Sequence, residues 1–212
     1  KAQLYDPTLS EAYAALSVAY FNKKMLDDAL TAGHRAIELD PNNHMAYWML
    51  GRIYRKIDKD AEAVKLFKKV VELNPDFYTV YTDLRMVYDK LGDKQRKDEI
   101  LQISLRTLPR YMQKHPDDAR ARMFHAQDLV VSGKIEEGKL EAAKAMELSP
   151  GDAVMLYNCA CFYSSLGEKK SAVDTLRKAV IAGWVDYEWI KHDPDFDEVR
   201  AEPEYIELMK GK

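Results

Sequence analysis

The stretch HMAYWMLGRIYRKIDKDAEAVKLFKKVVELNPDF, residues 44–77, decides the fold of this chain. Its first half places Tyr47, Leu50 and Tyr54 three and four residues apart, which puts them on one face of an α-helix. Its second half carries another apolar series at helical spacing, which includes Phe67. The stretch therefore predicts two short amphipathic helices that pack against each other.

Prolines recur through the chain at the length of this stretch. Four prolines are 34 residues apart, and a fifth follows an additional proline by the same distance: Pro7, Pro41, Pro75 and Pro109, then Pro150 after Pro116. A unit of two helices cannot bury its apolar face alone, so units that repeat at this spacing stack on one another. The period predicts an all-α chain built from helical hairpins.

The residues at fixed positions of each unit resemble the tetratricopeptide repeat. The unit at 44–77 carries the pattern most fully, in Tyr47, Leu50, Gly51, Tyr54, Ala63, Phe67 and Pro75. The resemblance implies a right-handed superhelix of about five helix-turn-helix repeats with a concave inner groove. We expect the repeats at residues 10–43, 44–77, 78–118, 119–152 and 153–183.

The third repeat is longer than the others by the seven residues RYMQKHP, 110–116. Seven residues are about two helical turns, so the spacing predicts one long second helix over 94–114. Pro109 falls inside it and removes a backbone donor, which predicts a bend or break near Thr107.

The two ends of the chain differ in kind from the repeats. Residues 1–9 resemble the end of a preceding repeat's second helix. Residues 184–212 lose the pattern and predict a cap of three short helices, which covers the last apolar face of the solenoid. We expect these helices near residues 187–191, 195–201 and 203–209, with Asp193 or Asp195 as a capping residue.

Composition excludes several classes of function. The net charge of −3 gives no field that attracts nucleic acid. No apolar run approaches the ~20 residues of a membrane helix. Two cysteines cannot form a disulfide framework for 212 residues, which favours a reducing compartment, the cytoplasm.

The cysteines, His125 and the acidic residues of the C-terminal part have structural explanations and do not indicate a catalytic or metal site. Cys159 takes a core position, Cys161 faces the groove, and no further ligand for a metal lies nearby in sequence. His125 stands at an apolar position, where we expect a half-buried imidazole with its hydrogen bonds made. The acidic residues 193, 195, 197 and 204 echo a calcium loop, but Glu198 stands where the loop needs glycine. We therefore predict no catalytic residue, no metal and no cofactor.

The resemblance also implies a binding surface, because the first helix of each tetratricopeptide repeat lines the groove. Carried onto this sequence, the inward-facing positions are Phe21, Trp48, Arg52, Arg55, Thr82, Met86, Asp89, Met123, Gln127, Tyr157 and Cys161. A mixture of aromatic, methionine and arginine side chains suits a peptide or helix of a partner protein. We expect a protein-interaction module that contacts neither nucleic acid nor membrane.

Residues 150–209 carry a second resemblance. They are similar to the C-terminal part of bacterial tetratricopeptide proteins that are fused to adenylate cyclase, serine/threonine kinase or winged-helix domains; the matching residues are Trp184, Asp193, Phe196, Arg200, Pro203 and Tyr205. This resemblance implies an alternative role as the regulatory or sensing region of a signalling enzyme or transcription factor. In that role the groove contacts a domain of the same protein, N-terminal to these residues.

Overall fold

Twelve α-helices and one 3₁₀ turn form the secondary structure of residues 7–211, the part of the chain that the computed structural model describes. The helices are α1 Pro7–Asn22, α2 Leu26–Leu39, α3 His44–Lys56, α4 Asp60–Leu73, α5 Thr79–Lys90, α6 Lys94–Lys114, α7 Ala119–Val131, α8 Ile135–Leu148, α9 Ala153–Ser165, α10 Lys169–Ile181, α11 Tyr187–His192 and α12 Pro203–Met209. Residues 7–211 contain no β-strand, so the predicted all-α class is confirmed.

Helices α1 to α10 follow one another as five pairs, one pair for each expected repeat. The first helix begins at Pro7, three residues before the expected start of its repeat at Ser10. The proposed end of a preceding repeat therefore overlaps α1 at residues 7–9, and its residues 1–6 lie outside the described part of the chain.

One residue in the turn of each hairpin adopts a left-handed backbone, and these residues repeat at the period of the prolines. Lys24, Asp58 and Gly92 have φ angles of 62°, 60° and 70°, and Gly133 and Gly167 have 87° and 71°. Glycine enters this region without steric cost, whereas Lys24 and Asp58 adopt it against the preference of residues with a Cβ. The same turn geometry is thus kept through all five hairpins.

Three first helices begin at a capping side chain. Asn43 accepts from the amide of Ala46, and the carboxylates of Asp118 and Asp152 do the same for α7 and α9. Each side chain satisfies backbone donors that have no partner within the helix. These caps fix where the first helices of repeats 2, 4 and 5 start.

The chain divides into two compact units between Thr107 and Leu108, inside α6. As predicted, this helix spans residues 94–114, with Pro109 in its interior. The helix continues through the proline, so of the two predicted alternatives the break near Thr107 is wrong and the bend stays a prediction. Leu108 and Met112 are both buried, so packing holds the helix on either side of the lost hydrogen bond.

The first unit packs large side chains against glycines. Phe67 of α4 is fully buried, and a Cβ added at Gly51 of α3 would lie 2.4 Å from its ring. Leu50, also fully buried, approaches Gly33 of α2 in the same way, at 2.8 Å from a Cβ there. The glycines allow a close approach between helices that alanine would prevent.

The C-terminal cap packs on the last helical hairpin of the second unit. Ile190, Phe196 and Tyr205 are buried together with Leu176 of α10. The helix predicted at 195–201 is wrong: a 3₁₀ turn at Pro194–Phe196 takes its place, because the proline starts a tight turn that buries Phe196.

Within residues 7–211, no helix combines the length and the apolar content that crossing a bilayer requires.

Candidate functional site

In the first unit, helices α1 and α3 bring the guanidinium of Arg52 against two aromatic rings. The Cζ atom of Arg52 in α3 lies 5.4 Å from the ring centre of Phe21 in α1 and 5.0 Å from that of Trp48. A cation at these distances is attracted by the faces of both rings. The three side chains are half-buried, so the guanidinium is held in place yet partly open to solvent.

A carboxylate of α5, the first helix of repeat 3, extends this arrangement. Asp83 of α5 is 8% exposed; its Oδ2 accepts from the indole nitrogen of Trp48 at 2.8 Å, and its Oδ1 lies 3.4 Å from Arg55. Burial raises the pKa of Asp83, against the smaller lowering effects of the Trp48 hydrogen bond and of the Arg55 and Arg52 charges. Asp83 thereby links α3 to α5 and fixes the indole ring.

Arg52 and Arg55 differ in how far their N–H groups are engaged by other side chains of the protein. Arg55 Nη1 lies 3.1 Å from the sulfur of Met86 and also faces Asp83. Arg52 donates no hydrogen bond within the described part of the chain, although its charge is near enough to Asp83 to act on that carboxylate. We call the group formed by Phe21, Trp48, Arg52, Arg55, Asp83 and Met86 the Arg52 surface.

The other residues expected on this side of the first unit are less informative. Met86 is 53% exposed, which leaves an apolar side chain at the edge of the Arg52 surface. Thr82 is half-buried, and Asp89 is exposed and accepts from Lys97 Nζ at 2.6 Å. The negative charge of Asp89 is therefore already paired.

A cavity of about 580 Å³ opens along α1 in the same unit. Ala14 and Val18 of α1 line it, together with His44 and Met45 at the start of α3. Val18 precedes Phe21 by three residues, so the cavity and the Arg52 surface share a face of α1. Burial lowers the pKa of His44, which favours its neutral imidazole, and the lining also includes the carboxylates of Glu11 and Asp40.

In the second unit, two of the expected groove residues are buried. Met123 and Tyr157 are each 4% exposed, and Met123 Sδ lies 3.5 Å from the buried Cys159. The prediction that Met123 faces a partner is corrected, because this side chain packs inside its own unit. Cys159 lies in the core, as predicted, and burial raises the pKa of its thiol to about 12.

Gln127 and Cys161 are half-buried and line a cavity of about 390 Å³ beside the C-terminal cap. We call it the cap cavity; its walls are Gln127, Tyr157, Asn158, Cys161, Phe162, Ser165, Trp189, Asp193 and Asp195. Tyr157 forms part of the wall even though its ring is buried. That ring stacks on Trp184 with ring centres 4.1 Å apart.

The acidic residues of the cap cavity are held by hydrogen bonds. Asp193 Oδ2 accepts from the Tyr157 hydroxyl, and Asp193 Oδ1 accepts from the amide of Asp195 at 3.0 Å. Asp193 is therefore the capping residue that the sequence predicts at this turn. Burial, with the Asp193 contact next, raises the pKa of Tyr157, so the phenol remains a donor.

Cys161, Asp193 and Asp195 bring their ligand atoms within 4.8 Å of one another. The sequence separates the cysteine from the carboxylates by more than thirty residues, and the fold closes that distance. Burial and the two nearby carboxylates raise the pKa of Cys161, which keeps it a neutral thiol. A metal bound here would have to displace the proton of this thiol, because the thiolate is the form of cysteine that ligates metals.

His125 partly departs from the expectation. The imidazole is half-buried, as predicted, and burial lowers its pKa. No group of the described residues hydrogen-bonds its buried Nδ1, so the protein does not supply the full set of hydrogen bonds that the sequence analysis expects. The site is a single imidazole on α7 and does not form part of the cap cavity.

The sequence analysis does not place three residues on these surfaces: Asp83, Trp189 and Asp195, the last of which it expects only as a capping residue. Asp83 lies 35 residues after Trp48, one period plus one, which is the offset of a contact between neighbouring repeats. That offset is a usable signal for Asp83. Trp189 and Asp195 lie in the non-repeating cap, where no period indicates which repeat residues they meet.

Comparison with known proteins identifies the repeats. Residues 10–43, 46–77 and 153–180 match family models described as "Tetratricopeptide repeat". "TPR repeat-containing protein YpiA" of Bacillus subtilis is 26% identical over 82% of this chain, and the chain covers 40% of its length. The chain therefore spans less than half of this curated relative.

Solved structures share the fold. TTC0263, "a thermophilic TPR protein" of Thermus thermophilus, superposes with a TM-score of 0.68 at 21% identity, over 86% of this chain and 96% of its own. PilF of Pseudomonas aeruginosa has a TM-score of 0.58 at 16% identity, over 97% and 98% of the two chains. At these identities the likeness concerns the fold alone.

Proposed function

We propose that this chain, which carries tetratricopeptide repeats at residues 10–43, 46–77 and 153–180, is a non-catalytic module that binds a peptide segment of a partner protein. The repeat fold supports a protein-interaction role in general. The first helices supply the contact residues: Phe21, Trp48, Arg52, Arg55, Thr82, Met86 and Asp89 in the first unit, and Gln127 and Cys161 in the second.

The observation that carries the proposal is the guanidinium of Arg52. It lies over the rings of Phe21 and Trp48, and it donates no hydrogen bond to the described residues. An arginine that is already ordered loses little freedom when it binds, and its planar N–H groups match a carboxylate. We therefore expect the partner segment to present an Asp, a Glu or a C-terminal carboxylate to Arg52.

Apolar contacts accompany this charge. Met86 is exposed beside Arg55, and Val18 lines the neighbouring cavity along α1. Aromatic, methionine and arginine side chains are enriched where proteins meet. The partner segment is thus expected to combine an acidic residue with apolar ones.

The proposal is tested with Arg52→Ala. A library of twelve-residue peptides is selected on the intact chain, and the dissociation constants of the best binders are measured by calorimetry. Loss of one charged hydrogen bond costs about 1.5–3 kcal/mol, so we expect affinity to fall by about tenfold or more. Arg35→Ala is the matched control, because Arg35 is an exposed arginine of α2 that contacts Glu38 and Tyr13 and lies outside the Arg52 surface.

Two outcomes contradict the proposal: selected peptides without acidic residues, or equal affinities for the two arginine variants. Circular dichroism checks that both variants keep their helical content. Trp48→Ala is a poorer test than Arg52→Ala, because it also removes the hydrogen bond to the buried Asp83.

The alternative role is regulation of another domain of a longer protein. Its support is the resemblance of residues 150–209 to the C-terminal part of bacterial signalling proteins, together with the greater length of YpiA. Both roles use the same surfaces and differ in whether the bound segment belongs to another chain. Peptides selected on the intact chain favour this alternative if they match the protein's own catalytic or DNA-binding domain.

A further inference from the structure

The cap cavity combines carboxylates with an absence of basic residues among its described lining. Asp193 is 5% exposed and Asp195 is exposed, and none of the nine lining residues is Lys, Arg or His. Arg200 is occupied elsewhere: it donates to the main-chain oxygen of Asp193 at 2.8 Å and pairs with Asp197. The negative charge inside the cavity therefore has no ion-pair partner from its own walls.

Aromatic side chains form the rest of the wall. Trp189 is 51% exposed, although Ile190, the next residue of α11, is fully buried. Tyr157 and Phe162 of α9 line the cavity from the side of the repeats. An exposed indole beside carboxylates is the arrangement that attracts an organic cation, through the ring face and through charge.

The volume of the cavity fits a small group. Its 390 Å³ is at the lower end of the roughly 300–1,000 Å³ of ligand pockets. The polar groups are fixed in advance, because Tyr157 and the amide of Asp195 hold the Asp193 carboxylate. Asp195 reaches the Cys161 thiol and is otherwise exposed, which leaves carboxylate lone pairs for a ligand.

We propose that the cap cavity binds the cationic side chain of a lysine or arginine in a partner peptide, with Trp189 and Asp195 as its direct contacts. The proposal rests on the proposed function only in taking a peptide as the carrier of the cation. It assigns the second unit a recognition site of opposite sign to the Arg52 surface. The first unit then binds an acidic group and the second unit a basic side chain.

The test uses the indole N–H signals of the three tryptophans in the intact chain, with Trp189 assigned through Trp189→Phe. The probe is a Gly-Ser heptapeptide with one central lysine, and the matched probe carries norleucine at that place. We expect the lysine peptide to shift the Trp189 signal in proportion to its concentration, while the norleucine peptide leaves it unchanged. The Trp48 signal stays in place with both probes.

Asp195→Asn is the discriminating variant, and Glu198→Gln is its control. Both side chains are exposed in the cap and both changes remove one negative charge, but Glu198 does not line the cavity. We expect Asp195→Asn to weaken lysine-peptide binding by about fivefold or more, and Glu198→Gln by less than about twofold.

Equal binding of the norleucine peptide overturns the proposal, because the cavity then reads an apolar chain. Equal losses in the two variants also overturn it, because they indicate only the general field of the cap. The result is independent of the Arg52 surface, since Arg52→Ala leaves the Trp189 response to the lysine peptide unchanged if the cap cavity is the site.

Discussion

Asp83 is the residue on which the Arg52 surface depends most. One carboxylate accepts from the Trp48 indole N–H and faces Arg55, so it orders two side chains of the preceding repeat at once. Its cost is burial, which raises its pKa above the ordinary value. A surface built on a buried carboxylate trades some stability for fixed side chains, as binding sites commonly do.

The raised pKa gives a prediction at the scale of this residue. The folded state holds the Asp83 proton more tightly than the unfolded state, so protonation stabilises the fold. This contribution is lost as pH rises from 3.8, the ordinary value, through the higher folded value. Asp83→Asn keeps the shape and cannot ionise. Relative to the native chain, the variant should therefore gain free energy of unfolding as pH rises.

The measurement is urea unfolding of both chains at about pH 3.5 and about pH 7, because the difference between them cancels the other titrating groups. A difference that shrinks with rising pH would mean that the Arg55 and Trp48 contacts outweigh burial at Asp83. The sign of one slope thus decides which effect dominates.

At the scale of elements, the hairpins depend on small residues where two helices touch. Gly51 in the middle of α3 is the clearest instance, because the Phe67 ring of α4 occupies the space of its missing side chain. Glycine is among the poorest residues for a helix interior. Its presence there is explained by packing between the helices and not by local preference.

We predict that Gly51→Ala destabilises the chain although alanine favours helix. A Cβ 2.4 Å from the Phe67 ring forces that buried ring to move, and overpacking of this kind costs about 1–3 kcal/mol. Gly151→Ala is the control, because no atom lies within 4 Å of its added Cβ and its φ is not left-handed. Thermal unfolding should give a lower midpoint for the first variant only. A raised midpoint for Gly51→Ala would show that α3 and α4 can separate at no cost.

At the scale of the whole molecule, the sequence predicts the repeat helices and two of the three cap helices, α11 and α12, but not the contacts between the cap and the repeats. The 34-residue period predicts the five helical pairs that the structure contains. Within a pair, apolar residues at helical spacing, such as Leu50 and Tyr54, mark the face of the helix that packs. The break that was one of two alternatives near Thr107 does not occur, because Leu108 and Met112 are buried by tertiary packing that local sequence does not encode. Trp189 and Asp195 line a cavity with residues of α9 only once the cap has folded, and no local sequence pattern predicts which residues of α9 these are.

In the second unit, one buried aromatic side chain of the non-repeating cap connects that cap to the last repeat. Phe196 is fully buried between Tyr157 and Tyr205, with ring centres 5.6 Å and 6.5 Å away, so it joins the cap to the last repeat. Phe196→Ala should cost about 3–5 kcal/mol and loosen the cap. Ile206→Ala is the control, because Ile206 is 57% exposed on α12, and such surface changes stay within about 0.5 kcal/mol.

Amide hydrogen exchange with mass spectrometry resolves the effect along the chain. Because repeats stabilise mainly their neighbours, Phe196→Ala should accelerate exchange in peptides from α9 to α12 and leave those from α3 and α4 at native rates. Faster exchange throughout the chain would contradict this local expectation and indicate that the cap stabilises all the repeats as one cooperative structure. Unchanged exchange in α9 and α10 would show that the last repeat needs no cover.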